Sequence, residues 1–453
     1  MPRSARLRAV YSARPEDPVQ DAARPLGASD LAQFWTLDPD ITYLNHGSFG
    51  ACPRPVLAAQ QALRDQLERE PAVFFNRESP VLLLSARNEL ARFVAAPSAG
   101  LAFVSNVTTA INSVLRSVPL PAGSELLVTD HEYNATRNVM EYVAAERGCR
   151  VVVAQVPFPI TGPEAVVEAV LARVSDHTRL AVLDHVTSQT ALVFPIFELV
   201  RELEARGVDV LVDGAHAPGM LDLEVERLGA PYYTGNCHKW LCAPKGAGFL
   251  YVRPDRQPDV HPIAISHGAN SPRRDRSRFL LEFDWTGTAD PSPMLCVPAA
   301  LRFMDSLLPG GWPALRVRNR ALALEARARL CDALEIPAPC PDAMIGSLAT
   351  VPLPAGSGET PSSPLYADPL QQTLLERWSL EVPIVPWPAP PARLVRVSAQ
   401  IYNALSQYEL LASALCALFF DSAAARADRS PRGVGAASGR DGNADPRAIR
   451  RSD

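Results

Sequence analysis

Seven short apolar runs follow one another between Leu101 and Val252: LAFVS, ELLVTD, RVVVAQV, LAVLDHV, VDVLVDG, YYTGNC and GAGFLYV. They are rich in Val and Leu and lack a polar alternation, which is the pattern of strands buried on both faces. Helical spacing occupies the intervals at 109–117, 135–147, 163–174 and 196–206. Strand, helix, strand in this order leaves few folds open. It predicts an α/β architecture with a mainly parallel seven-stranded sheet and covering helices.

The pattern changes on either side of this block. Upstream, Asp30–Trp35 reads as a short helix, Thr42–Asn45 as a strand, and HGSFGACPRP as turn chemistry with a Pro-marked helix start. Helical spacing follows at Val56–Glu70 and Pro80–Val94. After Asp290 come helices at 297–308 and 313–334, a Pro-rich stretch at 336–364, a helix at 367–378, short strands at 381–386 and 393–398, and a last helix at 403–420. These define a smaller α+β domain. The expected division is a flexible extension over 1–28, a large domain over 29–295, the small domain over 296–422, and a tail over 423–453 that is disordered by composition.

Composition narrows the function classes. A formal charge of −5 argues against general nucleic-acid binding. No apolar run is long enough to span a bilayer, and the N-terminus has basic residues but no apolar signal core. Cys52, Cys149, Cys237, Cys242, Cys296, Cys331, Cys340 and Cys416 form neither a CxxC nor a Cys/His ligand spacing. That implies free thiols in a cytoplasmic protein and no metal site.

The chemistry concentrates in Val208–Tyr251. The run VDVLV ends in Asp213, followed by Gly214-Ala215-His216; a later run delivers Asn236-Cys237-His238-Lys239-Trp240. In open α/β sheets, ligands sit at the carboxyl ends of strands, and a buried charge there needs a partner. A lysine flanked by His, Trp, Leu and Cys is placed to be desolvated, which lowers its pKa and frees its amine for Schiff-base chemistry. A strand-end Asp and a strand-end Lys on one sheet suit pyridoxal 5'-phosphate (PLP): the acid keeps the pyridine nitrogen protonated and the amine holds the aldehyde. Lys245, in APKGAG, is the competitor, placed in an exposed turn. Gly246-Ala247-Gly248 lacks the full dinucleotide fingerprint.

DGAHAPG, GNCHKW and PKGAGFLY, together with YLNHGSFGACP, NVTTAINSV, DHEYNA, ISHG, WTGTADPS and RVSAQIYN, resemble the class V branch of fold-type I PLP-dependent transferases, and within it the isopenicillin N epimerase-like group. These stretches keep the family order from Tyr43 to Asn403. The resemblance implies Lys239 as the Schiff-base lysine, Asp213 on the pyridine nitrogen and His216 near the ring oxygen. It places His131 against the ring, with Tyr133 as its rival, and Thr187 near the ring hydroxyl, with Ser188 a second choice. Thr108, Thr109 and His238 are expected on the phosphate, with Asn236 a weaker candidate; N-capping competes for Thr108 and Thr109. Thr288 is expected to reach the cofactor of a second subunit, which implies a homodimer. Arg396 would grip a substrate carboxylate. Asn45, His46 and Gly47 would close over the substrate, and Phe74, Phe75, Asn76 and Arg77 either join the pocket or form core plus a polar face.

The implied activity is Cα chemistry on a small amino-acid or peptide-like substrate. Epimerisation competes with lysis of a sulfur-substituted amino acid, as in hercynylcysteine sulfoxide lyase, and with transamination. A desulfurase of the mobile-thiol type is disfavoured, because no cysteine lies between Cys340 and Arg396. A catalytically silent binding protein on the same fold is the non-enzyme alternative.

Overall fold

The computed structural model describes residues 27–356 and 368–421. The 423–453 tail and all but the last two residues of the 1–28 extension lie outside them. Twelve strands, numbered in chain order, form three sheets among the described residues.

The seven apolar runs become β2 (Leu101–Val104), β3 (Glu125–Thr129), β4 (Arg150–Ala154), β5 (Thr178–Asp184), β6 (Asp209–Gly214), β7 (Tyr232–Asn236) and β8 (Gly248–Val252). They form one sheet in the order β2-β8-β7-β6-β5-β3-β4, with β8 antiparallel to both its neighbours and the remaining pairings parallel. Successive residues feed two cores: Leu126, Val128, Leu180, Val182 and Leu211 face one cluster, and Leu127, Ala181, Leu183, Val210 and Val212 the other. Burial on both faces explains the unbroken apolar runs, each fully buried Val or Leu contributing about 1.5–3 kcal/mol.

Helices α1 (Val107–Ser117) and α2 (Asn134–Arg147) cover the first face; α3 (Glu164–Leu171) and α4 (Ile196–Glu204) cover the other. Asn106 caps α1 by accepting from Thr109 N at 2.9 Å, and Gly148 ends α2 at φ 65°, a left-handed position that suits glycine.

The C-terminal part holds an antiparallel sheet in the order β11-β12-β9, from β9 (Leu348–Leu353), β11 (Ile384–Pro386) and β12 (Arg393–Ser398). It packs on α5 (Gly311–Leu334), which in turn packs on α6 (Leu405–Cys416). The expected 381–386 strand is divided into β10 (Leu380–Glu381) and β11. β1 (Thr42–Tyr43) pairs with β10, in parallel, and Ser398 N donates to Leu44 O at 2.9 Å. The N-terminal segment, which the sequence assigns to the large domain, is therefore bonded to strands of the C-terminal part. No described helix is long and apolar enough to cross a membrane.

Candidate active site

The ends of β2, β3, β5, β6 and β7 deliver their following residues to one edge of the large sheet, and Lys239 lies just beyond β7. The loop that carries it is fixed by close packing. Gly50, at φ 69°, leaves no room for a side chain, since a Cβ there would stand 2.0 Å from the His238 carbonyl oxygen. Gly219, at φ 88°, would meet the Trp240 carbonyl at 2.6 Å. His46 Nε2 bonds to the Lys239 carbonyl oxygen at 3.0 Å.

Lys239 Nζ lies 3.1 Å from His216 Nε2. The other nitrogen of that imidazole, Nδ1, accepts from Trp240 Nε1 at 3.3 Å. Indole N–H is a donor only, so Nδ1 must be the acceptor and the ring proton belongs on Nε2. His216 is then neutral and points its N–H at Lys239, whose amine must accept and hence be unprotonated. The electrostatics agree. Burial, with the Arg396 guanidinium, brings Lys239 down to about 7 against the pull of Asp213 and Asp184, and burial holds His216 well below its usual range.

Asp213, 3% exposed, accepts from Ala215 N at 2.9 Å through Oδ1. Burial raises its pKa, while the Ala215 N–H, Lys239 and the Thr136 hydroxyl oppose the rise. The parallel register sets Asp184, the last residue of β5, beside Asp213. Glu132 joins them from the loop after β3, so that carboxylate oxygens of Glu132, Asp184 and Asp213 all lie within 4.8 Å of one another. The sequence implied no metal site; the fold nevertheless gathers three acids here.

Arg396 enters from β12. Val395 and Val397 point into the core, and Arg396 faces the other way, 5% exposed. One arm donates to Ser188 O at 2.7 Å and Ser188 Oγ at 3.1 Å, and the other to Ser48 Oγ at 2.7 Å. Ser48 donates to Asn45 Oδ1, and Asn45 Nδ2 to Glu381 Oε1 at 2.9 Å. Arg396 Nε is buried without a partner. Burial lowers the guanidinium to about 10, which leaves it charged at neutral pH.

Several of the expected residues are enclosed by internal partners. His131 has no exposed surface; Nδ1 meets Thr190 Oγ1 at 2.6 Å, Nε2 donates to Val156 O at 3.0 Å, and the ring packs on Trp387 at 4.4 Å between centroids. With both nitrogens and both faces enclosed it offers no open surface to a cofactor ring, whereas Tyr133 is 44% exposed. Thr187 is likewise enclosed, its Oγ1 accepting from Leu192 N at 2.8 Å and meeting Thr190 Oγ1 at 2.8 Å. It closes its own turn, and Ser188 reaches Arg396 instead. His46 is fully buried between Tyr402 and the Lys239 carbonyl, where it holds the lysine loop. Gly47 N is spent on Ser398 Oγ at 2.9 Å. Asn45 is joined to Arg396 through Ser48.

On the phosphate side, Thr108 is exposed at the start of α1, and Thr109 Oγ1 pairs with Ser105 Oγ at 2.8 Å. Asn236 Oδ1 accepts from Val107 N at 3.0 Å, tying β7 to that helix start. His238 Nδ1 donates to Ala247 O at 3.1 Å, which leaves Nε2 for an outside group; burial and Lys239 hold its pKa down to about 4. Thr288 lies in an exposed stretch, 286–290, bracketed by Trp285 on Phe75 (5.7 Å) and Asp290 on Arg64 (2.8 Å). Phe74 is core, and Asn76 and Arg77 are exposed. Lys245 is tied to Gly50 O at 2.8 Å. Ser48, Glu381, Trp240 and Glu132 carry site contacts that sequence reading missed. Asp184 closes the Val/Leu run of β5 as Asp213 closes that of β6.

The Aminotransferase class-V family model matches residues 70–306. The chain belongs to the class V aminotransferase family. Isopenicillin N epimerase of Streptomyces clavuligerus is 36% identical over 394 residues, covering 84% of this chain and 96% of the relative. That of Amycolatopsis lactamdurans is 38% identical with the same coverage. A probable chloroplastic L-cysteine desulfhydrase of Arabidopsis thaliana is 30% identical, over 86% of this chain and 85% of the relative. Among solved structures, a cystine C–S lyase in complex with cysteine persulfide matches with a TM-score of 0.69 at 22% identity, over 83% of this chain and 97% of the other. This last likeness concerns the fold, which is fold-type I.

The class V family is PLP-dependent, and this chain is a PLP-dependent enzyme. The residues fit that cofactor: a buried acid at a strand end suits the pyridine nitrogen, an uncharged primary amine suits the aldehyde, and a helix start with Thr108 and Thr109 suits the phosphate.

Proposed function

We propose that this enzyme binds an α-amino acid, or a peptide-like compound with an amino-acid end, and moves the proton at its Cα, with epimerisation as the outcome. The observation that carries this reading is the pairing of an uncharged Lys239 amine with a buried Arg396 fork that has an unused Nε. When bound, PLP supplies the aldehyde that takes up the substrate amine and an electron-accepting ring for the charge left at Cα. Lys239 would hold the cofactor and Asp213 would face its ring nitrogen, with Thr108, Thr109 and His238 toward the phosphate. Arg396 would grip the α-carboxylate through two parallel hydrogen bonds, and Ser48 and Ser188 would hold the fork in place. With the carboxylate fixed, the Cα–H bond has one orientation, and the neutral Lys239 amine would take the proton from one face; inversion is completed by a solvent-derived proton added at the opposite face. His216, donating to Nζ, steers the amine lone pair. Tyr133 is the open aromatic side chain for the cofactor face.

The epimerase outcome is supported by relatives named isopenicillin N epimerase at 36–38% identity across 96% of their length. The second reading, lysis of a sulfur-substituted amino acid, is favoured by the L-cysteine desulfhydrase relative. A mobile-thiol desulfurase is not: Cys340 is buried, burial raises its thiol pKa, and Arg327 lies against its sulfur at 3.7 Å. A homodimer, completed by the exposed Thr288 stretch, belongs to the proposal, as does a cytoplasmic setting.

The test is product analysis in D2O with isopenicillin N and with L-cysteine, using PLP-loaded protein. Inversion with deuterium at Cα supports the proposal. Release of sulfide, pyruvate and ammonia, without inversion, would replace it with the lyase reading.

A further inference from the structure

Beneath Asp213 lies a feature that the proposed chemistry does not use. Glu132 and Asp184 are each 3% exposed. Glu132 Oε1 accepts from Tyr133 N at 3.0 Å, but Glu132 Oε2 and Asp184 Oδ2 are buried with no partner. Two ionised carboxylates are acceptors only and cannot satisfy each other. A proton on one of the two acids turns it into a donor, and their carboxylate oxygens come within 4.8 Å of each other.

The surrounding charges call for that proton. Three buried carboxylates within 4.8 Å would carry a charge of −3. The cations that face them are few: the Lys239 amine, which accepts from His216 and is uncharged, and Arg137, whose charge pulls Glu132 down while its own terminal nitrogen bonds to Glu141 at 3.0 Å. The Thr136 hydroxyl adds a dipole. Burying an unpaired charge is expensive, and neighbouring acids commonly answer by sharing a proton.

We propose that Glu132 and Asp184 form a proton-sharing carboxyl pair that carries one negative charge beneath Asp213, and that these two positioning residues make Asp213 a stronger base toward the cofactor's ring nitrogen. Burial, then the nearby Glu132 and Asp213 charges, raise Asp184, and burial followed by Asp213 raises Glu132. The inference rests on Asp213 facing the ring nitrogen only for its second half; the shared proton belongs to the cofactor-free protein as well.

The test is infrared spectroscopy of the full-length, cofactor-free protein in D2O at neutral pH, beside PLP affinity measured by equilibrium dialysis. The wild type shows a carboxylic-acid carbonyl stretch. Glu132→Gln and Asp184→Asn each lose it, while Asp213→Asn keeps it. Each single amide variant leaves one carboxylate with an N–H donor, conserving the charge, so PLP affinity stays within about threefold; the double variant removes the charge and weakens binding by about tenfold. Absence of the band in folded wild type overturns the shared proton, as does a band lost only in Asp213→Asn, or a bound divalent ion found by elemental analysis. If the band behaves as expected but the double variant binds PLP like wild type, the pair stands and its action on the cofactor through Asp213 is overturned. Should Glu132→Gln fail to fold, Asp184→Asn alone decides the assignment of the proton.

Discussion

Replacing Arg396 separates charge from geometry at the substrate end of the site. The wild-type guanidinium is held by Ser188 O, Ser188 Oγ and Ser48 Oγ at 2.7–3.1 Å and is almost fully buried. Arg396→Ala removes a desolvated, bidentate partner for a carboxylate, a loss of about 3–5 kcal/mol, or roughly 10²–10⁴-fold in kcat/KM. Arg396→Lys keeps the charge but loses the fork, and recovers less than half of that energy. The same pair of variants reads the Lys239 amine. Arg396 and burial depress Lys239 to about 7, so removing the guanidinium raises that pKa, and the amine loses its uncharged form at neutral pH. The assays are steady-state kinetics with a carboxylate substrate and with its amide, and the pH dependence of Lys239 reductive methylation in the cofactor-free protein. Arg396→Ala should shift the methylation midpoint upward; Arg396→Lys should not. The amide, which never engaged the fork, should lose little in either variant. Equal losses for acid and amide, or a methylation midpoint that stays put in Arg396→Ala, would refute the reasoning.

Four further outcomes follow. Lys239→Ala should abolish borohydride-fixable PLP and turnover while the fold stays intact by circular dichroism, because no other described lysine stands at the strand end. Trp240→Phe removes the donor that fixes His216 Nδ1; the free ring nitrogen lets His216 change tautomer, and the Lys239 methylation midpoint should move while KM changes little. Gly50→Ala should destabilise the protein by about 3 kcal/mol or more, measured by urea unfolding, since the new Cβ cannot coexist with the His238 carbonyl. His46 has a folded pKa near 3, against about 6.5 unfolded. Between those values the unfolded chain binds more protons, so stability is complete above pH 6.5 and is lost as pH falls. From pH 7 to pH 5 the wild type should lose about 2 kcal/mol more than His46→Gln, read from paired unfolding curves; parallel curves would contradict the neutral, buried assignment.

Much of the architecture was legible because it rests on local pattern. The seven apolar runs are the seven strands of the large sheet, and helix starts near Val107 and Asn134 were expected within two residues. Asp213 and Lys239 stand out in the sequence for the same reason: Asp213 closes the apolar run of β6 and Lys239 follows β7 by three residues, on the sheet edge where ligands sit in open α/β folds. His131 and His46 stand at positions where the family motif places a functional group, but whether a side chain faces a pocket or the packing behind it depends on neighbours more than fifty residues away for His131 and more than a hundred for His46; Thr187 instead turns onto Thr190 and Leu192 of its own loop. Trp387 and Thr190 enclose His131, and Tyr402 and Lys239 enclose His46.

The sequence by itself determined the alternation of strand and helix, the strand-end acid and the strand-end lysine, because each follows from hydrophobic periodicity within one segment. Only the tertiary structure decided the charge state and aim of those groups. The neutral amine of Lys239 comes from a Trp240–His216 relay, the set of Arg396 from Ser48 and Ser188, and the acid cluster from a parallel register that lays Asp184 beside Asp213 with Glu132 against both. Burial and pairing set protonation, and both are properties of the packed chain.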